Sequence, residues 1–188
     1  MNAFDRSHYL YTPLFCEENI CKLVATFYTN KQATPIDVIF IINPSNSVGV
    51  FEQRAATGQH PVIWDYHVVL SAVVEEKIVI FDFDSRCAFP TDIQSYFALT
   101  FPAQHLLADR YRPWLKCIAA RQYLAFFSSD RSHMKGVIPD NEFPPYDIIQ
   151  SGDAAQKLSL QACIDTGCET HGSKLFMPDE YAEQFLTP

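Results

Sequence analysis

Two runs decide how this chain folds: VIWDYHVVLSAVV at residues 62–74 and KIVIFDFD at residues 77–84. Both are apolar, rich in β-branched and aromatic residues and of strand length, so they predict two strands. Only Glu75 and Glu76 separate them, which is short enough to close a hairpin. Glutamates are unusual turn residues, so the loop length, and with it the register, stays open. Under strict alternation His67 shares a face with Ile63, Asp65, Val69 and Val73, and Trp64 and Tyr66 point the other way. A buried imidazole needs a partner, and the second strand offers Asp82 and Asp84 on one face. A two-residue loop sets His67 opposite Asp84 with Asp82 as diagonal neighbour; slipping the pairing by one loop step sets it opposite Asp82. Cross-strand geometry allows either, and the aspartate left over reads as a strand-end residue capping the next turn.

Working outward, DVIFII (residues 37–42), closed by Asn43-Pro44, predicts a buried strand and a turn. Residues 45–61, with Asn46, Gly49, Gly58 and Pro61, read as a surface loop. Further upstream Cys16, Ile20, Leu23, Val24 and Phe27 fall at helical spacing, and Glu17 and Glu18 occupy the first turn, where the helix dipole favours negative charge. The spacing predicts a helix over residues 16–28. Downstream, residues 93–99 read as a short helix, 114–119 lead into a strand, and 122–127 are an apolar helix or strand end. Residues 128–146 form a polar, then proline-rich loop, and a last helix spans 179–185 with Pro178 at its start. A helix followed by mostly antiparallel strands is an α+β order, the helix packing on a sheet.

The chain has 188 residues, 48% of them hydrophobic and only 6 glycine, which fits a single domain over 1–188. Its 14 Lys plus Arg against 22 Asp plus Glu give a net charge of -8, which works against nucleic acid and membrane surfaces as partners. Residues 1–13 lack the basic and apolar regions of a signal peptide, and no apolar run reaches transmembrane length. Six scattered cysteines suggest free thiols in a reducing compartment. The expected location is the cytoplasm, with the nucleus as a further compartment, and the expected state is a monomer.

Cys16 is the cysteine with chemical promise. A thiol becomes a useful nucleophile as thiolate, and a helix N-terminus supplies partial positive charge and N–H groups that lower its pKa and can serve an oxyanion hole. Cys21, Cys87, Cys117, Cys163 and Cys168 keep the ordinary reading of small buried hydrophobes. Cys163, Cys168 and His171 have spacing that suits part of a zinc site, but structural zinc wants four ligands in tighter pairs, so surface thiols in a tail loop are expected and no metal. A helix-start cysteine, a mid-strand histidine and a next-strand acid match, in chain order, papain-like and transglutaminase-like enzymes. That order implies acyl transfer through a thioester.

FCEENI (residues 15–20), PVIWDYHVVL (61–70), FDFD (81–84) and SDRSHM (129–134) together resemble the protein N-terminal glutamine amidohydrolase family, and the tail LFMPDEYAEQF is similar to the family's closing helix. The resemblance implies Cys16 as nucleophile, His67 as base and Asp82 as the acid, on a papain/transglutaminase-like core with no cofactor. It implies deamidation of N-terminal glutamine in proteins or peptides, with release of ammonia. A buried α-ammonium needs acceptors; Asp65 and Glu18 are candidates beside the ordinary reading of surface or dipole-complementing charges. Trp64 is a candidate pocket wall, and a lining role for Arg131, Ser132 and His133 rests on the resemblance alone. Two rivals remain: a cysteine deamidase of internal glutamine, and an interaction module that has lost its chemistry. Intact Cys16, His67 and Asp82 speak against the second.

Overall fold

The computed structural model describes residues 4–102 and 104–185. The first three residues of the N-terminal stretch, and the last three of the 1–188 span read as one domain, lie outside the described residues. Strand β1 (Thr34–Ile42) is the middle of the fold. Strands β2 (Val48–Val50) and β3 (Val62–Trp64) form a small ribbon of their own. The main sheet adds β4 (His67–Val74), β5 (Lys77–Phe81), β6 (Thr91–Asp92), β7 (Trp114–Ala119) and β10 (Lys174–Phe176), in the order β10-β7-β1-β4-β5-β6 with every pairing antiparallel.

The unbroken apolar run in β1 follows from burial on both faces. Val38, Phe40 and Ile42 join a core with Ile20, Leu23, Val24 and Phe27 of α1 (Cys16–Asn30). Ile39 and Ile41 join a second core with Ile93, Tyr96 and Phe97 of α2 (Ile93–Thr100) and Tyr181 of α5 (Pro178–Glu183). Each fully buried side chain of this kind contributes about 1.5–3 kcal/mol. The fold is α+β with a mainly antiparallel sheet, as the element order implied, but helices cover both of its faces.

Helix α1 ends where Lys31 turns left-handed (φ 58°) and its N–H returns to Phe27 O at 2.9 Å. The hairpin loop is two residues long: Val74 pairs with Lys77, and Glu75 and Glu76 both take positive φ (48° and 65°), as a twisted two-residue turn requires. After β7 come α3 (Ala120–Phe126) and β8 (Phe127–Ser128), which runs parallel to β9 (Leu158–Ser159) ahead of α4 (Leu160–Ile164). The ammonium of buried Lys116 fixes this region: it donates to the carbonyls of Ala162, Asp165 and Cys168 at 2.7, 2.8 and 2.7 Å. A buried cation is tolerable when every donor is used in this way.

Three expectations need correction. Residues 62–74 are not one strand: the ladder breaks at Asp65-Tyr66, β3 pairs with β2, and β4 begins at His67. Strict alternation therefore fails across the break, and the Trp64 ring stacks on His67 (centroids 5.8 Å apart, planes at 17°) instead of facing away. The 45–61 segment is not a surface loop throughout, because β2 is fully buried and so is Gln53. Cys163 is not a surface thiol; it is buried in α4, while the His171 ring lies stacked on Phe126 at 4.8 Å. All six cysteines are free.

Candidate active site

A tight turn delivers Cys16 to the first position of α1. Phe15 N–H donates to Thr12 O at 3.3 Å, Pro13 holds the second position, and Leu14 takes φ 67° at the third, where a left-handed residue is required. Asn19 clamps the turn from the helix: its Oδ1 accepts from Thr12 N–H (2.9 Å) and its Nδ2 donates to Thr12 O (2.8 Å). No side chain of the N-cap residue, Phe15, competes for the N–H groups of the first turn, so donors suited to an oxyanion are not taken by a cap.

His67 opens β4 opposite Ile41 of β1. The last pair of the hairpin ladder is Leu70 with Phe81. Continued, that register would face His67 with Asp84, yet the chain leaves the ladder at Asp82 and turns this carboxylate onto the imidazole. His67 Nε2 and Asp82 Oδ1 lie 2.8 Å apart, both residues buried. Asp84 contributes its backbone N–H to Asp82 Oδ1 (2.9 Å) and accepts from Tyr11 Oη with its own carboxylate.

The remaining oxygen of Asp82 takes Tyr96 Oη at 2.8 Å and Gln53 Nε2 at 3.2 Å, while Gln53 Oε1 accepts from Trp64 Nε1 at 3.3 Å. Neither Tyr96 nor Gln53 stands out in the sequence: Tyr96 lies in a short helical pattern and Gln53 in a stretch that reads as surface loop. Burial raises the Asp82 pKa, but the His67 charge and hydrogen bond, with the Tyr96 and Asp84 donors, outweigh it and hold the carboxyl well below its usual range. Burial likewise pulls His67 down, and Asp82 more than compensates, so the imidazole pKa is raised. Because Asp82 is a carboxylate, Nε2 must carry the proton, which leaves Nδ1 as the accepting nitrogen.

Cys16 and His67 line one cavity of about 850 Å³. Trp64, Asp65 and Ser132 line it as well; Glu18 does not. Glu18 is fully buried and both its oxygens are held by Arg131, which is only 6% exposed although the loop composition suggested a solvated turn. The expectation that the helix start lowers the Cys16 pKa is reversed. Burial, then Glu17, Asp84 and Asp82, push the thiol up, against a single lowering contact from the Val68 backbone. A thiol raised in this way stays protonated near neutral pH, and such a group becomes nucleophilic only with a base beside it.

Glu17 is itself unusual. It is fully buried, its Oε2 accepts from Tyr66 Oη at 3.1 Å and lies 3.7 Å from Cys16 Sγ, and burial raises its pKa to about 7. His67, Asp82 and Asp84 can each present one metal-ligand atom within 4.8 Å of the others. Both Asp82 oxygens and His67 Nε2 are already engaged, with each other and with Tyr96, Gln53 and the Asp84 N–H, so this arrangement suits a proton relay better than an ion.

The model for N-terminal glutamine amidase matches residues 11–185. Proteins named protein N-terminal glutamine amidohydrolase from Bos taurus and Homo sapiens are each 32% identical over 182 residues, covering 94% of this chain and 86% and 87% of theirs. One of the same name from Arabidopsis thaliana is 33% identical over 183 residues, 91% of this chain and 82% of its own. With that match running through the cavity-lining Cys16 and the His67–Asp82 pair, the chain belongs to the N-terminal glutamine amidase family.

Proposed function

We propose that this chain hydrolyses the side-chain amide of an N-terminal glutamine to glutamate, with Cys16 as nucleophile, His67 as base and Asp82 as its orienter. The observation that carries this reading is the 2.8 Å contact between His67 Nε2 and Asp82, made beside a cavity onto which Cys16 also opens. His67 Nδ1 takes the thiol proton as Sγ attacks the amide carbon, and the imidazolium is stabilised by Asp82. The tetrahedral intermediate collapses, His67 gives the proton to the departing ammonia, and a thioester remains. Water, deprotonated by His67, hydrolyses it and frees Cys16.

Thiol, imidazole and carboxylate supply every step, so the scheme needs no cofactor. Asp65, Trp64 and Ser132 are the candidate substrate contacts, Asp65 being the acceptor for the α-ammonium. Glu18 is left to its bond with Arg131. The reading extends to a papain/transglutaminase-like core, supported by a nucleophile at a helix start packed on an antiparallel sheet. It also takes 1–188 as one domain, acting as a cytoplasmic or nuclear monomer.

The test is ammonia release and product mass for two peptides of equal composition, one with glutamine at a free N-terminus and one with it internal, using wild type and Cys16→Ala. Turnover of the terminal peptide alone, lost in the variant, is expected. Turnover of the internal peptide would move the reading to a general deamidase, and unimpaired turnover by Cys16→Ala would overturn the mechanism.

A further inference from the structure

Next to the active-site cavity lies a second one, of about 630 Å³, with a different electrostatic character. Arg6, Arg54 and Arg86 line it against a single acid, Asp5, in a chain whose net charge is -8. Tyr11 lines both cavities, so the two adjoin on one side of the molecule.

The placement of these arginines follows from the backbone. An antiparallel bridge pairs Gln53 with Ser85, closed by Arg54 N–H to Asp84 O and Arg86 N–H to Glu52 O, both at 2.7 Å. Side chains alternate across such a bridge. Gln53 and Ser85 turn inward and are buried, Gln53 reaching Asp82, while Arg54 and Arg86 turn outward and are exposed. Among the described residues neither of their guanidinium groups has a hydrogen-bond or ion-pair partner. Arg6 is fixed at the inner wall, donating to Cys87 O at 2.6 Å and Asp82 O at 3.4 Å and lying over the Phe89 ring. Asp5 is occupied locally by the N–H and hydroxyl of Ser7.

The active-site cavity is acidic by contrast: Asp65, Asp84 and Asp130 line it against Lys157. One end of the groove thus suits a cation and the other an anion. We propose that the arginine cavity receives an acidic side chain of the substrate polypeptide downstream of its N-terminal glutamine, making the protein selective among glutamine-first chains. Arginine is suited to this because its planar fork pairs with a carboxylate through two parallel hydrogen bonds. An extended chain leaving the Cys16 cavity past Tyr11 spans about 3.3 Å per residue, so a short peptide reaches from one cavity to the next. The proposal rests on the glutamine-deamidating function above.

The experiment compares kcat/KM for glutamine-first peptides in which one glutamate is scanned through the following positions with the matched peptide carrying alanine there. Wild type should favour the acidic peptide about fivefold over a limited stretch of positions, a preference that fades with added salt. The ratio should fall to about one in Arg54→Gln/Arg86→Gln and below one in Arg54→Glu/Arg86→Glu. Binding of the same labelled peptides to Cys16→Ala, followed by fluorescence anisotropy, reads the arginine cavity without turnover. A wild-type ratio of one at every position, or a preference that survives the arginine substitutions, overturns the proposal. Absent turnover with the binding preference intact sinks the deamidation reading and leaves the arginine cavity standing.

Discussion

Arg131 grips Glu18 with two parallel hydrogen bonds, Nε to Oε1 at 2.9 Å and Nη2 to Oε2 at 2.8 Å, across 113 residues of sequence. The pair ties the SDRSHM loop to the first turn of α1 and so sets Ser132 and His133 at the cavity beside Cys16. Arg131 also donates to Pro144 O at 3.3 Å, which draws in the proline-rich part of the loop. Arg131→Ala should destabilise the protein by about 3–5 kcal/mol, because it strands a buried carboxylate. Urea unfolding measures this, and Glu18→Gln/Arg131→Met should recover part of the loss. A cost near that of an exposed ion pair would mean that Glu18 finds water instead.

The His67–Asp82 pair makes stability depend on pH in a defined window. Asp82, depressed below 3.8, stabilises fully above about pH 4 and loses its contribution as pH falls through its lower folded value. His67, raised above 6.5, stabilises fully below about pH 6.5 and loses its contribution as pH rises through its folded value. The stability gap between wild type and Asp82→Asn should therefore be widest between about pH 4 and 6.5 and narrow at alkaline pH. Denaturant titrations across that range check it; a gap that keeps widening above neutrality would contradict the assignment.

Cys16 should react slowly with iodoacetamide at neutral pH compared with a free thiol, since burial and the neighbouring carboxylates hold it protonated. Glu17, whose Oε2 lies 3.7 Å from Sγ, is the strongest of those charges. Glu17→Gln should raise the alkylation rate several-fold, more at pH 8 than at pH 6, because Glu17 itself titrates at about 7. Mass spectrometry of the Cys16 peptide follows the rate directly, and equal rates in both proteins would remove Glu17 from the account.

Tyr96→Phe deletes one donor to the Asp82 carboxylate and keeps the ring in its core. A hydrogen bond to a buried charge is worth about 1.5–3 kcal/mol, so the unfolding free energy should fall by that order. With Asp82 less firmly held, kcat should drop while KM changes little, and the acid limb of the pH profile should shift upward, because the Asp82 carboxylate, still ionised but short of one donor, holds the His67 proton more strongly. An unshifted limb would show that Gln53 and the Asp84 N–H suffice to hold Asp82.

Much of this protein is fixed by local pattern. The apolar spacing from Cys16 to Phe27, the β-branched runs of β1 and β4, and Pro178 ahead of α5 each act within a few residues, so the α+β order and the candidates Cys16 and His67 follow from sequence alone. The choice between Asp82 and Asp84 does not. The hairpin register points to Asp84, and only the chain's exit from the ladder after Phe81, with Tyr96, Gln53 and the Asp84 N–H converging on one carboxylate, gives Asp82 to His67. The pairing of Glu18 with Arg131, the burial of Gln53 and Lys116, and the hydrogen bond from Trp64 Nε1 to Gln53 belong to the same class. Each joins residues from separate elements to satisfy a buried polar group, and that requirement exists only once the two cores have closed around the sheet and excluded water.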